Sequence, residues 1–306
     1  MEDLRLSFTG FWPSFDVNNN LFRRVIEDCL ELRIRLVSKG EKSDLEITSV
    51  FHMNSVFERG SKYLYSKISK NFQVEFENAS RYGFVAREKC SGNKRIWYSG
   101  ENFRTPYGSA DGYIGFDKSD PAQNVVYFPH WMYRLYSQKN SLTESQEVHF
   151  RSLTNHRDPI ERERNCCIFS SSLDPRRKFI VDIMKHFLDV QMYGKAFGNF
   201  VESKSEVAKD FGFQICPENS LYPGYVTEKL IESWESGNIP IWEGIDSQEY
   251  FNKDAFIDLT SLTTMEIMEI MEMLLKKNLS EIRSKPILQK SPDIAPVVNL
   301  IKSVLG

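Results

Sequence analysis

From residue 166 onward, short apolar runs alternate with amphipathic stretches, and the turns between them are rich in Pro, Gly and Asn. Strands are predicted at Cys166–Phe169, Val190–Tyr193, Phe213–Cys216 and Ile239–Trp242, with helices at Arg177–Leu188, Glu202–Asp210 and Val226–Ser236 between them. Such alternation implies a parallel sheet with crossover helices. The Arg177–Leu188 helix is expected to set Phe179, Ile180, Ile183, Met184, Phe187 and Leu188 on the sheet, with Asp182 and Lys185 opposite. Thr263 and Glu266 have the spacing of a capping box, so a further helix is predicted from Thr264 to about Lys277. Its Met and Ile residues read as packing.

The first half is less regular. Leu4–Phe8 and Asp44–Phe51 read as strands around a Leu21–Leu32 helix, a βαβ-like start. Residues 52–93 lose the periodicity and read as a mixed insertion. Three short strands follow, at Lys94–Ser99, Tyr113–Phe116 and Val125–Phe128. Arg151–Asn165 is almost wholly polar and reads as an inter-domain linker or its flanking helix. The expected domains are therefore 1–155 and 156–306.

Composition changes this picture little. A chain of 306 residues that is 41% hydrophobic and 13% aromatic buries a large core. Its formal net charge of −3 favours neither nucleic acid nor an anionic membrane as principal partner. The five cysteines lack metal-type spacing and read as free core thiols rather than a disulfide framework, which favours a reducing compartment. No window reaches the ~18 apolar residues of a spanning helix, so the expected location is cytoplasmic, or a Golgi-lumenal domain if an N-terminal anchor has been removed. Asn78-Ala79-Ser80 and Asn278-Leu279-Ser280 match the glycosylation pattern at the level of chance. The histidines show no HxH or HExxH spacing, and Asp-x-Asp is absent, so no metal site is expected.

Candidate chemistry collects where strands end. Open α/β sheets bind ligands at the carboxyl ends of their strands. After Phe213–Cys216 come Glu218-Asn219-Ser220 and Gly224-Tyr225-Val226-Thr227-Glu228-Lys229-Leu230. Lys229, at the opening of a helix, sits where free N–H groups and the dipole favour an anion, although a solvated lysine is the commoner outcome. Glu228 reads equally well as a hydroxyl acceptor and as a helix-terminal charge. After the strand ending at Ser99 comes Gly100-Glu101-Asn102, and further on Gly112-Tyr113-Ile114-Gly115-Phe116-Asp117. Isolated, Glu101 would be an ordinary loop carboxylate.

Together these segments resemble the α-1,3-fucosyltransferases, glycosyltransferase family ten. The likeness is specific in the Glu-Asn and Gly-Tyr-Val-Thr-Glu-Lys-Leu elements, with one departure: Pro217 stands where the family has Phe, removing a backbone N–H. The resemblance implies a GT-B type α/β fold, two facing Rossmann-like domains with a cleft between them. It also implies inverting transfer of fucose from GDP-fucose to a glycan hydroxyl, such as the 3-OH of N-acetylglucosamine or glucose, without a metal or other cofactor. The resemblance assigns Glu101 as catalytic base in the N-terminal, acceptor-binding domain. In the C-terminal, GDP-sugar-binding domain it assigns Arg177, Asn219, Tyr225, Glu228 and Lys229 to the donor, with Arg177 fitting slightly better than Arg176. His130 is an alternative base. Trp97 and Trp131 read as packing before sugar stacking. Asp16–Asn20 serves equally well as an acceptor loop and as a plain turn. Transfer of another GDP-sugar, or carbohydrate binding without catalysis on the same scaffold, keeps the same motifs.

Overall fold

The computed structural model describes residues 3–38, 41–50, 92–137, 144–158 and 160–306. The chain divides into two units: residues 1–144 with 293–306, and residues 145–292. Each is an α/β unit built on one all-parallel sheet. Residues 51–91, Cys90 and Asn78 among them, fall outside the described residues, and with them the first glycosylation match and the expected insertion except its last two residues, Gly92 and Asn93, which belong to a strand.

The first unit orders its strands β2-β1-β3-β4-β5-β6. They are β1 (Leu4–Thr9), β2 (Ile34–Leu36), β3 (Ser43–Thr48), β4 (Gly92–Tyr98), β5 (Gly112–Gly115) and β6 (Val125–Tyr127). The expected first helix is shorter than its apolar pattern: α1 (Leu21–Arg24) runs into a π-turn over Val25–Cys29. Asn20 caps α1 by accepting from Arg23 N, while its own amide donates to Asp16 O and Val17 O. The Asn-rich segment is thus a capped turn. Helix α2 (His130–Ser137) buries Trp131, Met132, Tyr133 and Leu135.

The domain boundary differs from the expected 155/156, because the C-terminus belongs to the first unit. Helix α9 (Ala295–Leu305) buries Val297, Leu300, Ile301 and Val304, and packs on β4 and β5. A Cβ at Gly112 would stand 3.1 Å from Leu300 Cδ1 and 3.2 Å from Val304 Cγ2. A side chain there would crowd these methyl groups by a few tenths of an ångström, so glycine allows the close approach.

The second unit orders its strands β11-β10-β9-β7-β8. They are β7 (Asn165–Phe169), β8 (Asp189–Tyr193), β9 (Phe213–Ile215), β10 (Ile239–Trp242) and β11 (Ile257–Asp258). The helices around it are α3 (Glu144–Thr154), α4 (Pro175–Met184), α5 (Lys204–Ala208), α6 (Lys229–Glu235), α7 (Thr264–Leu274) and α8 (Leu279–Ser284). Ile180, Val181, Ile183 and Met184 of α4 join Phe213, Ile215, Ile239 and Ile241 in the core. Phe179, expected on that face, is 46% exposed, and Val181 takes its place. The capping box forms as expected: Thr263 N donates to Glu266 Oε2 at 2.8 Å and Glu266 N to Thr263 Oγ1 at 3.3 Å. Asn278, the second glycosylation match, caps α8 by accepting from Ser280 N.

Cys166, Cys167 and Cys216 are buried free thiols, whereas Cys29 is exposed, contrary to the expected core position. No helix of the described residues is long and apolar enough to cross a membrane.

Candidate functional site

In the second unit the sheet order reverses between β7 and β9, and there the crossover helices leave in opposite directions. A crevice opens at such a point, outside the carboxyl ends of the strands. The loop after β7 leads into α4, whose N-cap Asp174 accepts from Arg177 N at 3.0 Å. Arg177 is buried; it donates to Ser172 Oγ at 2.9 Å and to Asn219 Oδ1 at 2.7 Å. Two of the expected donor-binding residues, from different loops, are therefore one hydrogen-bonded unit.

After β9 the chain stays in register with β10 for two further residues. Cys216 N donates to Ile241 O and Glu218 N to Glu243 O, both at 2.9 Å. Because strand partners alternate, Pro217 stands between them at a position that owes β10 no bond. Its missing N–H therefore leaves the β9–β10 ladder intact.

Glu218 is fully buried, and it organises the motif loop. Its Oε1 accepts from Thr227 N at 2.9 Å and from Trp242 Nε1 at 3.3 Å. Its Oε2 accepts from Thr227 Oγ1 at 2.8 Å and from Lys229 Nζ at 3.1 Å. A buried carboxylate without such donors would be strongly destabilising; here the loop is folded around it. Helix α6 begins at Lys229, three residues after the expected Val226. Gly224, at φ 84°, turns the loop and donates to Ile245 O at 2.8 Å. In the sequence the signal of Glu218 is a carboxylate just past a buried strand.

Arg177, Glu228 and Lys229 line a pocket of about 100 Å³, together with Phe169, Lys204 and Gln214. Lys229 Nζ also bonds Thr227 Oγ1 at 3.0 Å, which leaves the third of its three donors for the pocket. Tyr225 is only 2% exposed and lies inside the loop. Arg176 is engaged elsewhere: its Nε pairs with Glu243 Oε2 at 3.1 Å and its Nη2 bonds Glu218 O. Arg177, and not Arg176, faces the pocket. Burial raises the Glu243 carboxyl above its ordinary value, with Arg176 opposing. Burial also pushes the Cys216 thiol up, and the Glu218 charge adds to this, so that sulfur is a neutral wall atom.

Glu101 stands in the first unit, three residues after the end of β4. Ser99 Oγ donates to Glu101 O at 2.7 Å and to Phe103 O at 3.1 Å, and Phe103 N donates to Glu101 O at 2.6 Å. Asp117, after β5, accepts from Thr105 N at 3.1 Å and pairs with Arg104 at 3.8 Å. Arg104 also bonds Asn102 Oδ1 and lies 4.8 Å over Phe116. The Gly-Glu-Asn turn is thereby clasped to the β5 end. A Cβ at Gly100 would lie 3.1 Å from His130 Nδ1, and that nitrogen is 3.3 Å from Tyr98 OH. Trp97 and Trp131 are buried, so neither offers a stacking face. Among the described residues no group of three or more His, Cys, Asp or Glu side chains has the arrangement of a metal site.

Residues 160–283 match the family model described as Glycosyltransferase family 10 (fucosyltransferase) C-term. The Alpha-(1,3)-fucosyltransferase FucT of Helicobacter pylori is 26% identical over 194 residues, which cover 54% of this chain and 41% of that protein. The human 4-galactosyl-N-acetylglucosaminide 3-alpha-L-fucosyltransferase 9 is 30% identical over 104 residues, 31% of this chain and 29% of that one. The matches therefore span less than half of these relatives. Among solved structures, a crystal structure of an alpha1,3-fucosyltransferase aligns with 99% of this chain and 90% of its own, with TM-score 0.68 and 20% identity. A crystal structure of alpha1,3-fucosyltransferase with GDP-fucose aligns over the same shares, with TM-score 0.65 and 21% identity. At these identities the likeness establishes the fold, which is of the GT-B type.

Proposed function

From the family 10 match over residues 160–283, we propose that this chain is a fucosyltransferase that moves fucose from GDP-fucose to a glycan hydroxyl with inversion at the transferred carbon. The observation that carries the reading is the clustering in the second unit of two bonded pairs, Arg177 with Asn219 and Lys229 with Glu218, at one sheet reversal inside the matched region.

In the proposed reaction the acceptor oxygen bonds to fucose C1 as the bond from C1 to the β-phosphate oxygen breaks. The acceptor's proton passes to Glu101, and the electron pair leaves with GDP. Arg177 and Lys229 neutralise the departing diphosphate, Arg177 already held by Ser172 and Asn219 and Lys229 by the buried Glu218, so little reorganisation is needed as charge develops. Asn219 fixes Arg177. Glu228 takes a ribose or sugar hydroxyl, and Tyr225 supports the loop from within. Two protein cations supply the charge neutralisation that many sugar-nucleotide enzymes draw from a divalent ion, so the activity is proposed to be metal-independent.

The test is incubation with a panel of nucleotide sugars and a glycan array, monitoring nucleotide release and product mass. GDP release dependent on a glycan, with mass gain of one deoxyhexose and full activity in EDTA, is expected. Preference for another sugar nucleotide would replace the donor, and recovery only with manganese would replace the protein-only neutralisation.

A further inference from the structure

Between the parallel strands β4 and β5 the crossover is not a helix. Residues 99–111 form turns and irregular chain instead, although a parallel pair is usually joined through a helix. With no helix packed on the sheet to fix it, the position of this segment depends on its side chains. Ser99 fastens the entrance: its N donates to Ile114 O at 2.9 Å and its Oγ to Glu101 O at 2.7 Å. Asp117 fastens the exit from a place two residues past β5, a strand held between β4 and β6. One of its carboxylate oxygens accepts from Thr105 N at 3.1 Å and from Thr105 Oγ1, and the other faces Arg104 Nη1 at 3.8 Å. Arg104 carries the constraint back along the chain, because its Nη2 donates to Asn102 Oδ1, next to Glu101. The Arg104 and Asp117 side chains are only 11% and 17% exposed, so salt and water screen their charges little. Closing the exit needs only the Thr105 bonds; the cation between Asp117 and Asn102 fixes the neighbour of Glu101 as well.

Resting on the fucosyl-transfer reading above, in which Glu101 takes the acceptor's proton, we infer that Asp117 is a positioning residue for that base, acting through Arg104 and Asn102. A carboxylate on a loop accepts a proton in the transition state only while it is held in line with the proton it removes, and a displacement of about 1 Å costs about a hundredfold in rate. Asp117 sets a fixed charge at the end of a central strand, and Arg104 transmits its position to within one residue of Glu101. The effect is one of geometry at the base. It belongs in turnover and not in donor binding, since Arg177 and Lys229, which hold the diphosphate in that reading, lie in the other unit.

Steady-state kinetics of the full chain with GDP-fucose and the most active acceptor of the glycan array, read beside calorimetry of GDP, test this. Asp117→Asn keeps the size of the side chain and an oxygen for Thr105 but leaves Arg104 without its counter-charge. It is expected to lower kcat about 10–100-fold, with KM for GDP-fucose and GDP affinity within about twofold of wild type. Arg104→Lys is a milder second variant, which keeps a cation for Asp117 but not the fork that also reaches Asn102. It is expected to lower kcat about tenfold, and wild-type turnover in it overturns the route through Asn102. The deciding measurement adds Asp117→Asn to Glu101→Gln. A residue that acts through Glu101 has no base left to position there, so kcat should stay within about twofold of the Glu101→Gln value. If the two losses multiply instead, or if Asp117→Asn alone keeps full turnover or loses GDP affinity, the inference is overturned. Should wild type transfer no fucose, or Glu101→Gln turn over like wild type, the reading beneath it falls with it; with both of those intact, the outcomes above bear on Asp117 alone.

Discussion

The two units wind their parallel sheets alike, with the order reversing between the first and third strand of each, yet the ends of those strands carry opposite chemistry. At the β7/β9 reversal stand two bonded pairs, Arg177 with Asn219 and Lys229 with Glu218. At the β1/β3 reversal the loop after β1 is aromatic: Phe11 and Phe15 stack at 3.9 Å between ring centroids, and Trp12 meets His130 and Tyr133 edge to face. Burial among these rings pushes the Tyr133 hydroxyl up to about 12. The nearby charges, Glu46 and Arg95, are closed on each other at 2.9 Å, with Thr9 Oγ1 donating to Glu46 at 2.8 Å. Topology provides a crevice in each unit, but the side chains that reach it decide whether an anion is welcome.

The largest expected effect sharpens the contrast from the first unit. If Glu101 moves a proton while the second unit holds the nucleotide, Glu101→Gln lowers kcat by roughly 10²–10⁴-fold. GDP affinity should stay at the wild-type value by calorimetry; a parallel loss of GDP binding would assign Glu101 to the donor instead. Next in size is a pair of buried carboxylates. Glu218→Ala strands Thr227 N–H and Trp242 N–H and takes the carboxylate from Lys229, and Glu46→Ala takes the carboxylate paired with Arg95, so each should cost about 3–5 kcal/mol in urea unfolding. Only Glu218→Ala should abolish GDP binding. Were Glu46→Ala to do the same, the division of labour between the units would break.

Lys229→Ala is smaller and mixed in character. It removes one phosphate partner, which weakens GDP roughly 10–100-fold. It also leaves Glu218 short of its cation, so the urea midpoint falls with the affinity. Retained affinity would remove Lys229 from the donor site. The smallest effect lies at the rim of the first sheet, where hydrogen bonds from the Arg5 side chain hold the Asp44 carboxyl below its ordinary value. A lowered folded value means that the stabilisation is complete above the ordinary carboxylate range and is lost as pH falls through the lowered value. The pair is about a third exposed, so screening keeps it under about 1 kcal/mol. Asp44→Asn should thus differ slightly from wild type in urea unfolding at pH 7, and the difference should vanish at low pH.

Residues 166–242 were legible because each strand there is an apolar run closed by a turn and each helix has one apolar stripe. Even so, α6 starts three residues late, after the loop folded around Glu218. Short edge strands escaped: β2 is only half-buried, and β11, though Ile257 is buried beside Phe256 and Leu259, is two residues long. Helix α9 is strongly amphipathic, but nothing local states which unit it covers.

The chain by itself determined the alternation of strands and helices in its second half, the capping box and the motif residues, because these depend on neighbours a few positions apart. Only the tertiary structure decided that Arg177 meets Asn219, that Glu218 gathers Thr227, Lys229 and Trp242, and that the C-terminus returns to the first unit. Those are contacts between segments distant in the chain, set by burial and by the need of every buried charge for a partner.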